Sequence, residues 1–275
     1  KKTYTPEDDP KNLIDLDRKM QEGFMAFQRG EESRAIILFE EILAKRPDYG
    51  VIYDNLAHVY REKGELGHAI ELLEKAADLN VADASLISKL AIYYQEAGQL
   101  EKAKTLLEGL AQWDQDDVEI LNYLGVTYWK LGYYDQAKEV YQKAIALDKG
   151  YASLYNNLAS VYLSLKEYPL AEKHLREALS FDPNLASAHN GMGVVMGNQG
   201  RLTEAAKYWK RAVELDEAQY DGLYNLCIAL ARLNQFQDAI KYMEQFIKSA
   251  PPQRYGADIE NMKKLLARLK ETIKK

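Results

Sequence analysis

Small and bulky apolar residues are set among polar ones in a pattern that returns every 34 residues, most plainly in Ala35, Ala69, Ala103, Ala137, Ala171, Ala205 and Ala239. No insertion or deletion interrupts that series, so one structural unit occurs seven times. The period, more than local propensity, then decides the architecture. In the register 16–49, 50–83, 84–117, 118–151, 152–185, 186–219 and 220–253 these alanines occupy the twentieth column, while the eighth holds Gly23, Ala57, Ala91, Gly125, Ala159, Gly193 and Cys227. Two helices approach closely only where facing side chains are small, so columns eight and twenty predict the contact between two helices of each unit. Column seven (Leu56, Leu90, Leu124, Leu158, Met192, Leu226) and column eleven (Tyr60, Tyr94, Tyr128, Tyr162, Met196, Leu230) are bulky and predict the packing between units. Column twenty-four (Phe39, Leu73, Leu107, Tyr141, Leu175, Trp209, Met243) follows the alanine by one turn and continues the apolar stripe of a second amphipathic helix.

The breaks between stripes are equally regular. Column fifteen reads Gly30, Gly64, Gly98, Gly132, Lys166, Gly200 and Asn234. Glycine or asparagine accepts the left-handed backbone that stops a helix, so a short turn is expected there. Lys166 is the exception, and Pro169 follows it to open the next helix. Pro47, Pro183 and Pro251 in column thirty-two mark the end of a second helix. Residues 1–10 are polar, hold Pro6 and Pro10, and read as a linker with Asp9 capping the first helix and Pro10 at its first position. Repeats are expected over 11–253. Residues 254–275 leave the period but keep Ile259, Met262, Leu266, Leu269 and Ile273 on one stripe, which predicts a helix capping the apolar end of the stack.

These columns resemble the tetratricopeptide repeat family, whose pattern sets small residues at columns eight and twenty, aromatics at four, eleven and twenty-four, and proline at thirty-two. Unit 152–185 carries it through Tyr155, Leu158, Ala159, Tyr162, Ala171, Ala178 and Pro183, whereas unit 16–49 departs from it at Lys19, Glu22 and Ala26. The resemblance implies an all-α, right-handed superhelical solenoid of seven helix-turn-helix repeats plus a C-terminal capping helix. It implies a non-enzymatic scaffold for protein-protein interaction that binds an extended peptide segment in a concave groove. The run from Phe246 to Pro252, with the helix after it, resembles the end of repeat regions attached to bacterial sulfatase-like hydrolases. That likeness implies a bacterial source, cytoplasmic or extracytoplasmic, and a second reading as the accessory repeat module of a larger enzyme or of a multi-protein assembly.

In this family columns two, five, six, nine, twelve and thirteen of the first helices line the groove. Column five here reads Met20, Asp54, Ser88, Asn122, Asn156, Asn190 and Tyr224, and column six Gln21, Asn55, Lys89, Tyr123, Asn157, Gly191 and Asn225. Asparagine inside a helix is about 0.5–0.7 kcal/mol worse than alanine, so its recurrence on one line suggests a use. An amide both donates and accepts, as the main chain of an extended peptide requires; the same amides could instead tie neighbouring helices together. The candidate groove residues are Asn55, Lys89, Asn122, Tyr123, Trp129, Lys130, Asn156, Asn157, Asn190 and Asn225. Trp129 and Tyr123 are either aromatic anchors or packing along the groove wall. Gly191 and Gly197, also on inner columns, either admit a ligand backbone or make the sixth repeat a soft joint. Among the inner columns of 118–219 only Glu119 and Lys130 are charged, which favours a neutral or polar segment. The carboxylate clamp by which some of these domains hold chaperone C-termini is not expected, because Met20, Phe24 and Ser85 stand where its residues would be.

Composition narrows the function classes. The chain is 47% apolar and 28% charged, as an ordered helical protein would be. With 36 basic and 42 acidic residues its net charge of −6 is of the wrong sign for a phosphate backbone, so nucleic acid is not an expected partner. No apolar run reaches the roughly 18 residues of a membrane span. The chain opens on Lys1 and not on methionine, as a processed or excised segment would. His58, His68, His174 and His189 occupy different columns with no partner histidine four residues away, so neither a metal nor another cofactor is expected. Cys227, the single cysteine, falls in a small column and reads as a packed thiol. Adjacent acids such as Glu40 and Glu41, or Asp116 and Asp117, point to different helix faces and cannot act as an acid and base pair. A monomer is expected, because the terminal helix opposes end-to-end stacking.

Overall fold

The computed structural model describes residues 10–273, with side chains from 14 onward. Among the described residues there are helices and no strand. In chain order they are α1 (Pro10–Gln28), α2 (Glu32–Lys45), α3 (Gly50–Glu62), α4 (Leu66–Asp78), α5 (Ala84–Glu96), α6 (Leu100–Trp113), α7 (Val118–Leu131), α8 (Tyr134–Leu147), α9 (Ala152–Ser164), α10 (Tyr168–Phe181), α11 (Ala186–Asn198), α12 (Leu202–Leu215), α13 (Tyr220–Arg232), α14 (Phe236–Ser249) and α15 (Pro252–Ile273). Pro10 opens α1; the rest of the expected linker and the cap at Asp9 lie outside the described residues. Two compact units divide the chain, 1–131 and 132–275. Within each, every helix packs on the one that follows it in sequence. First helices also touch one another directly, α5 with α7 in the first unit and α9 with α11 and α11 with α13 in the second.

The contact inside the hairpins has a size rule. Where column twenty-four holds leucine, column eight holds alanine, in the pairs Ala57/Leu73, Ala91/Leu107 and Ala159/Leu175. Where it holds an aromatic ring, column eight holds glycine, in Gly23/Phe39 and Gly193/Trp209, and the sequence keeps the same match in Gly125 and Tyr141. A methyl built on Gly23 would lie 2.7 Å from the Phe39 ring, and one on Gly193 2.5 Å from the Trp209 indole. The summed volume of the pair is what the fixed helix spacing conserves. Column twenty is fully buried throughout, with Ala35, Ala69, Ala103, Ala137, Ala171, Ala205 and Ala239 at 0% exposure.

The turns follow from the backbone. Gly30, Gly64, Gly98, Gly132 and Gly200 all take positive φ, and so do Lys166 at 60° and Asn234 at 59°. The column therefore demands the left-handed region whatever residue stands there, and Lys166 adopts it against its intrinsic preference. Pro169 sits in the first turn of α10, directly after that turn.

Successive repeats are tied by two kinds of hydrogen bond. From column four, the hydroxyls of Tyr53 and Tyr155 donate to the carbonyls of Pro47 and Lys149 in column thirty-two of the preceding repeat, at 3.1 and 3.0 Å. His189 Nε2 reaches the Pro183 carbonyl in the same way at 2.9 Å. From column eleven in the first unit, Tyr60, Tyr94 and Tyr128 donate to Glu40, Glu74 and Glu108 on the preceding second helix. Burial, together with the Glu74 carboxylate, raises the pKa of Tyr94 well above the usual phenol range. The capping helix α15 starts at Pro252 and covers α14 with Tyr255, Ile259, Met262 and Leu269, while Ile273 of the expected stripe is 39% exposed. Tyr255, one turn before Ile259, donates to Asp221 Oδ1 at 2.9 Å and so fastens the cap to α13.

Candidate functional site

In the first unit, α3, α5 and α7 present the inner columns. Lys89 on α5 donates to Asp54 on α3, so the cation expected to meet a ligand is neutralised by the preceding repeat. Arg61 grips Glu96 with two bonds, Nε to Oε2 and Nη2 to Oε1, each 2.9 Å. Two of the charge pairs on this face thus join one repeat to the next, and Arg61 also bonds Glu62 of its own repeat. Asn55 is half-buried, and its Nδ2 has no hydrogen-bond partner among the described residues. Asn122, Tyr123 and Trp129 on α7 are half-buried and Lys130 is exposed. The Tyr123 carbonyl accepts from Gln95 Nε2 and from Thr127 Oγ1, both at 2.8 Å, and Gln95 also bonds Thr127. This buried polar knot joins α5 to α7. Its one sequence signal was Thr127 in a column where Val59, Val161 and Val195 stand in other repeats.

In the second unit, α9, α11 and α13 carry the remaining amides. Asn156 Nδ2 lies 3.5 Å from Asn157 Oδ1, a weak contact between neighbours on α9. Asn190 on α11 is half-buried, with its Oδ1 sealed from water and without a partner among the described residues. Asn225 on α13 is half-buried and lines a cavity of about 280 Å³ that opens between α11 and α13. The extra glycines of α11 have a packing cause: a methyl on Gly191 would lie 2.8 Å from Leu175 and one on Gly197 3.0 Å from Trp209. They admit large side chains from α10 and α12.

The four histidines each rest against an aromatic ring, His58 on Phe27, His68 on Tyr60, His174 on Tyr162 and His189 on Tyr208. Among the described residues no three His, Cys, Asp or Glu side chains converge as metal ligands would. Cys227 is fully buried, and burial pushes its thiol up to about 12. The thiolate is the reactive form, so at about pH 8 a disulfide reagent is expected to leave the folded protein unmodified and to titrate one thiol after denaturation. Rapid modification of the native chain would contradict this packing.

Helical hairpins in series, joined through small-residue contacts and presenting polar first-helix faces, define an α-helical repeat protein of the protein-interaction scaffold class. Sequence profiles described as tetratricopeptide repeat match residues 60–124, 116–184, 150–218 and 195–254. These spans run on without a break, and the chain belongs to the tetratricopeptide repeat family. A search of curated proteins gave no match. Among solved structures, a tetratricopeptide repeat protein from Parabacteroides merdae superposes with a TM-score of 0.77 at 16% identity, over 92% of this chain and 98% of that one. A thermophilic repeat protein of Thermus thermophilus gives 0.57 at 20% identity, over 68% and 98%. MamA gives 0.50 at 27% identity, over 60% and 96%. No helix among the described residues is long and apolar enough to cross a membrane.

Proposed function

We propose that this chain is a non-enzymatic scaffold that holds an extended peptide segment of a partner protein along its first-helix faces. In the first unit the residues on this face are Asn55, Asn122, Tyr123, Trp129 and Lys130, together with Lys89, which is paired with Asp54. In the second they are Asn156, Asn157, Asn190 and Asn225. The observation that carries the reading is Asn190, an amide kept inside a helix with a buried oxygen that no group among the described residues satisfies. Leaving such an atom unpaired costs about 1–3 kcal/mol, so the amide is kept on this face at a cost that a role in binding would explain. The partner is taken to be protein, since a net charge of −6 opposes nucleic acid, and the chain is taken to act as a monomer.

The test is to select binders from a displayed library of random twelve-residue peptides and titrate the selected peptide into the wild type and Asn190→Ala. Affinity is expected to fall about fivefold, the equivalent of one net hydrogen bond. Thermal stability is expected to hold or rise, because the deleted acceptor has no partner in the free protein. Equal affinities, or a library that enriches no peptide, would remove the support for this reading. The likeness of Phe246 to Pro252 to hydrolase-attached repeats supports a second reading, an accessory module of a larger enzyme. The coding sequence on either side of this chain tests it: a hydrolase domain in the same reading frame is expected, and stop codons on both sides refute it.

A further inference from the structure

Column twelve of the first helices is filled by Phe27, Arg61, Gln95, Trp129 and Leu163 in the first five repeats, but by Gly197 in the sixth. With no side chain at Gly197, the inner face of α11 leaves the cavity of about 280 Å³ beside α13. Trp209 from α12 forms its floor, with Val194 and Ile228 among the aliphatic walls. The indole is only 7% exposed, and its Nε1 is buried without a hydrogen-bond partner among the described residues. Of the polar lining, Asn198 is already committed: its Nδ2 donates to the Val194 carbonyl at 2.9 Å, and its Oδ1 accepts from the Tyr168 hydroxyl at 3.0 Å. Arg232, in contrast, is exposed, is the only charged lining residue, and makes no ion pair or hydrogen bond within the described residues. An aromatic floor, aliphatic walls, the amides of Asn198 and Asn225 at the side and one uncompensated cation call for an occupant that is apolar at one point and anionic at another.

We propose that this cavity is a side-chain pocket, formed by Trp209, Val194 and Ile228 with Arg232 at its mouth, for an aliphatic residue of the bound segment whose near neighbour is an aspartate or glutamate. The proposal rests on the peptide-scaffold reading and adds to it the chemistry of the peptide. Arg232 follows Ile228 by one helical turn, about 6 Å along α13. An extended chain advances roughly 3.3 Å per residue and returns side chains to the same side every second residue. The acidic residue therefore stands two positions from the aliphatic one. Burying the aliphatic group removes apolar surface from water, and the carboxylate forms a charge-assisted bond with the guanidinium.

The probe is the blocked heptapeptide Ala-Leu-Ala-Asp-Ala-Leu-Ala, which offers the spacing in either chain direction, titrated into the full chain. The readout is the indole N–H resonance of Trp209 by heteronuclear NMR, assigned with Trp209→Phe. A saturable shift is expected. It should weaken about fivefold when the peptide Asp becomes Asn or when the exposed Arg232 is changed to Gln, as one partly solvated charged bond would. Replacing both peptide leucines by serine should abolish the shift. A Trp209 signal unmoved at millimolar peptide, or binding indifferent to both Asp→Asn and Arg232→Gln, overturns the pocket. If this probe shifts the side-chain amides of Asn122 or Asn156 but leaves Trp209 still, the pocket fails while the wider peptide-scaffold reading stands.

Discussion

Trp209→Ala is expected to destabilise the unit 132–275 by about 3–5 kcal/mol, the range for removing a large aromatic side chain from a packed interior. The indole is 7% exposed and is enclosed by residues that cannot refill its space, since Gly193 and Gly197 meet it with no side chain of their own. The void should therefore persist, and the cavity contribution adds to the lost transfer energy. Repeat arrays are stabilised by intrinsic and nearest-neighbour terms, so the loss should concentrate in the repeats built from α11 to α14. Urea unfolding followed by circular dichroism measures it. Trp113→Phe serves as the control, because Trp113 is 77% exposed and its replacement should be nearly silent. A Trp209→Ala protein within 1 kcal/mol of the wild type would mean that the indole is not the keystone of this hairpin.

Gly193→Ala is expected to cost about 1–3 kcal/mol, although alanine is the better helix former. The added methyl would lie 2.5 Å from Cδ1 and Nε1 of Trp209 and 2.8 Å from Cε2, along the rigid edge of a ring with no flexible end to move. The gain in helix propensity, about 1 kcal/mol, is smaller than the overlap it brings. Trp209→Leu in the same molecule should restore much of the loss, because alanine in column eight against leucine in column twenty-four is the arrangement that Ala159 and Leu175 make in the preceding repeat. Each single change damages the contact in the opposite sense, one by overfilling and one by emptying it. A double-mutant cycle should therefore give a coupling of about 1 kcal/mol or more in favour of the double variant. Additive losses would show that the two columns do not share a conserved volume.

The candidate surface was only partly legible in the sequence. Column arithmetic named Asn55, Lys89, Asn190 and Asn225 as residues on one side of successive first helices, yet it could not say which were already engaged. Lys89 is taken by Asp54, one repeat back, while Asn190 keeps an unsatisfied oxygen. Whether a long side chain meets a neighbour or a ligand depends on rotamer and on the spacing of two helices in space, and neither leaves a periodic trace. The cavity over Trp209 was missed for the same reason: Gly197 was visible, but the ring beneath it comes from α12.

By itself the sequence determined the number of hairpins, their length, and the places where helices stop. Small residues, apolar stripes and left-handed turns are constraints local to one hairpin and recur at a fixed interval. Even Lys166 obeyed its column by adopting φ of 60°. Only the tertiary structure decided the matching of Gly193 to Trp209, the tyrosine bonds that cross from one repeat to the preceding one, the knot of Gln95 and Thr127, and the fastening of α15 through Tyr255 to Asp221. Those interactions join positions on different helices, and their energies depend on distances of a few tenths of an ångström that close packing sets and periodicity does not.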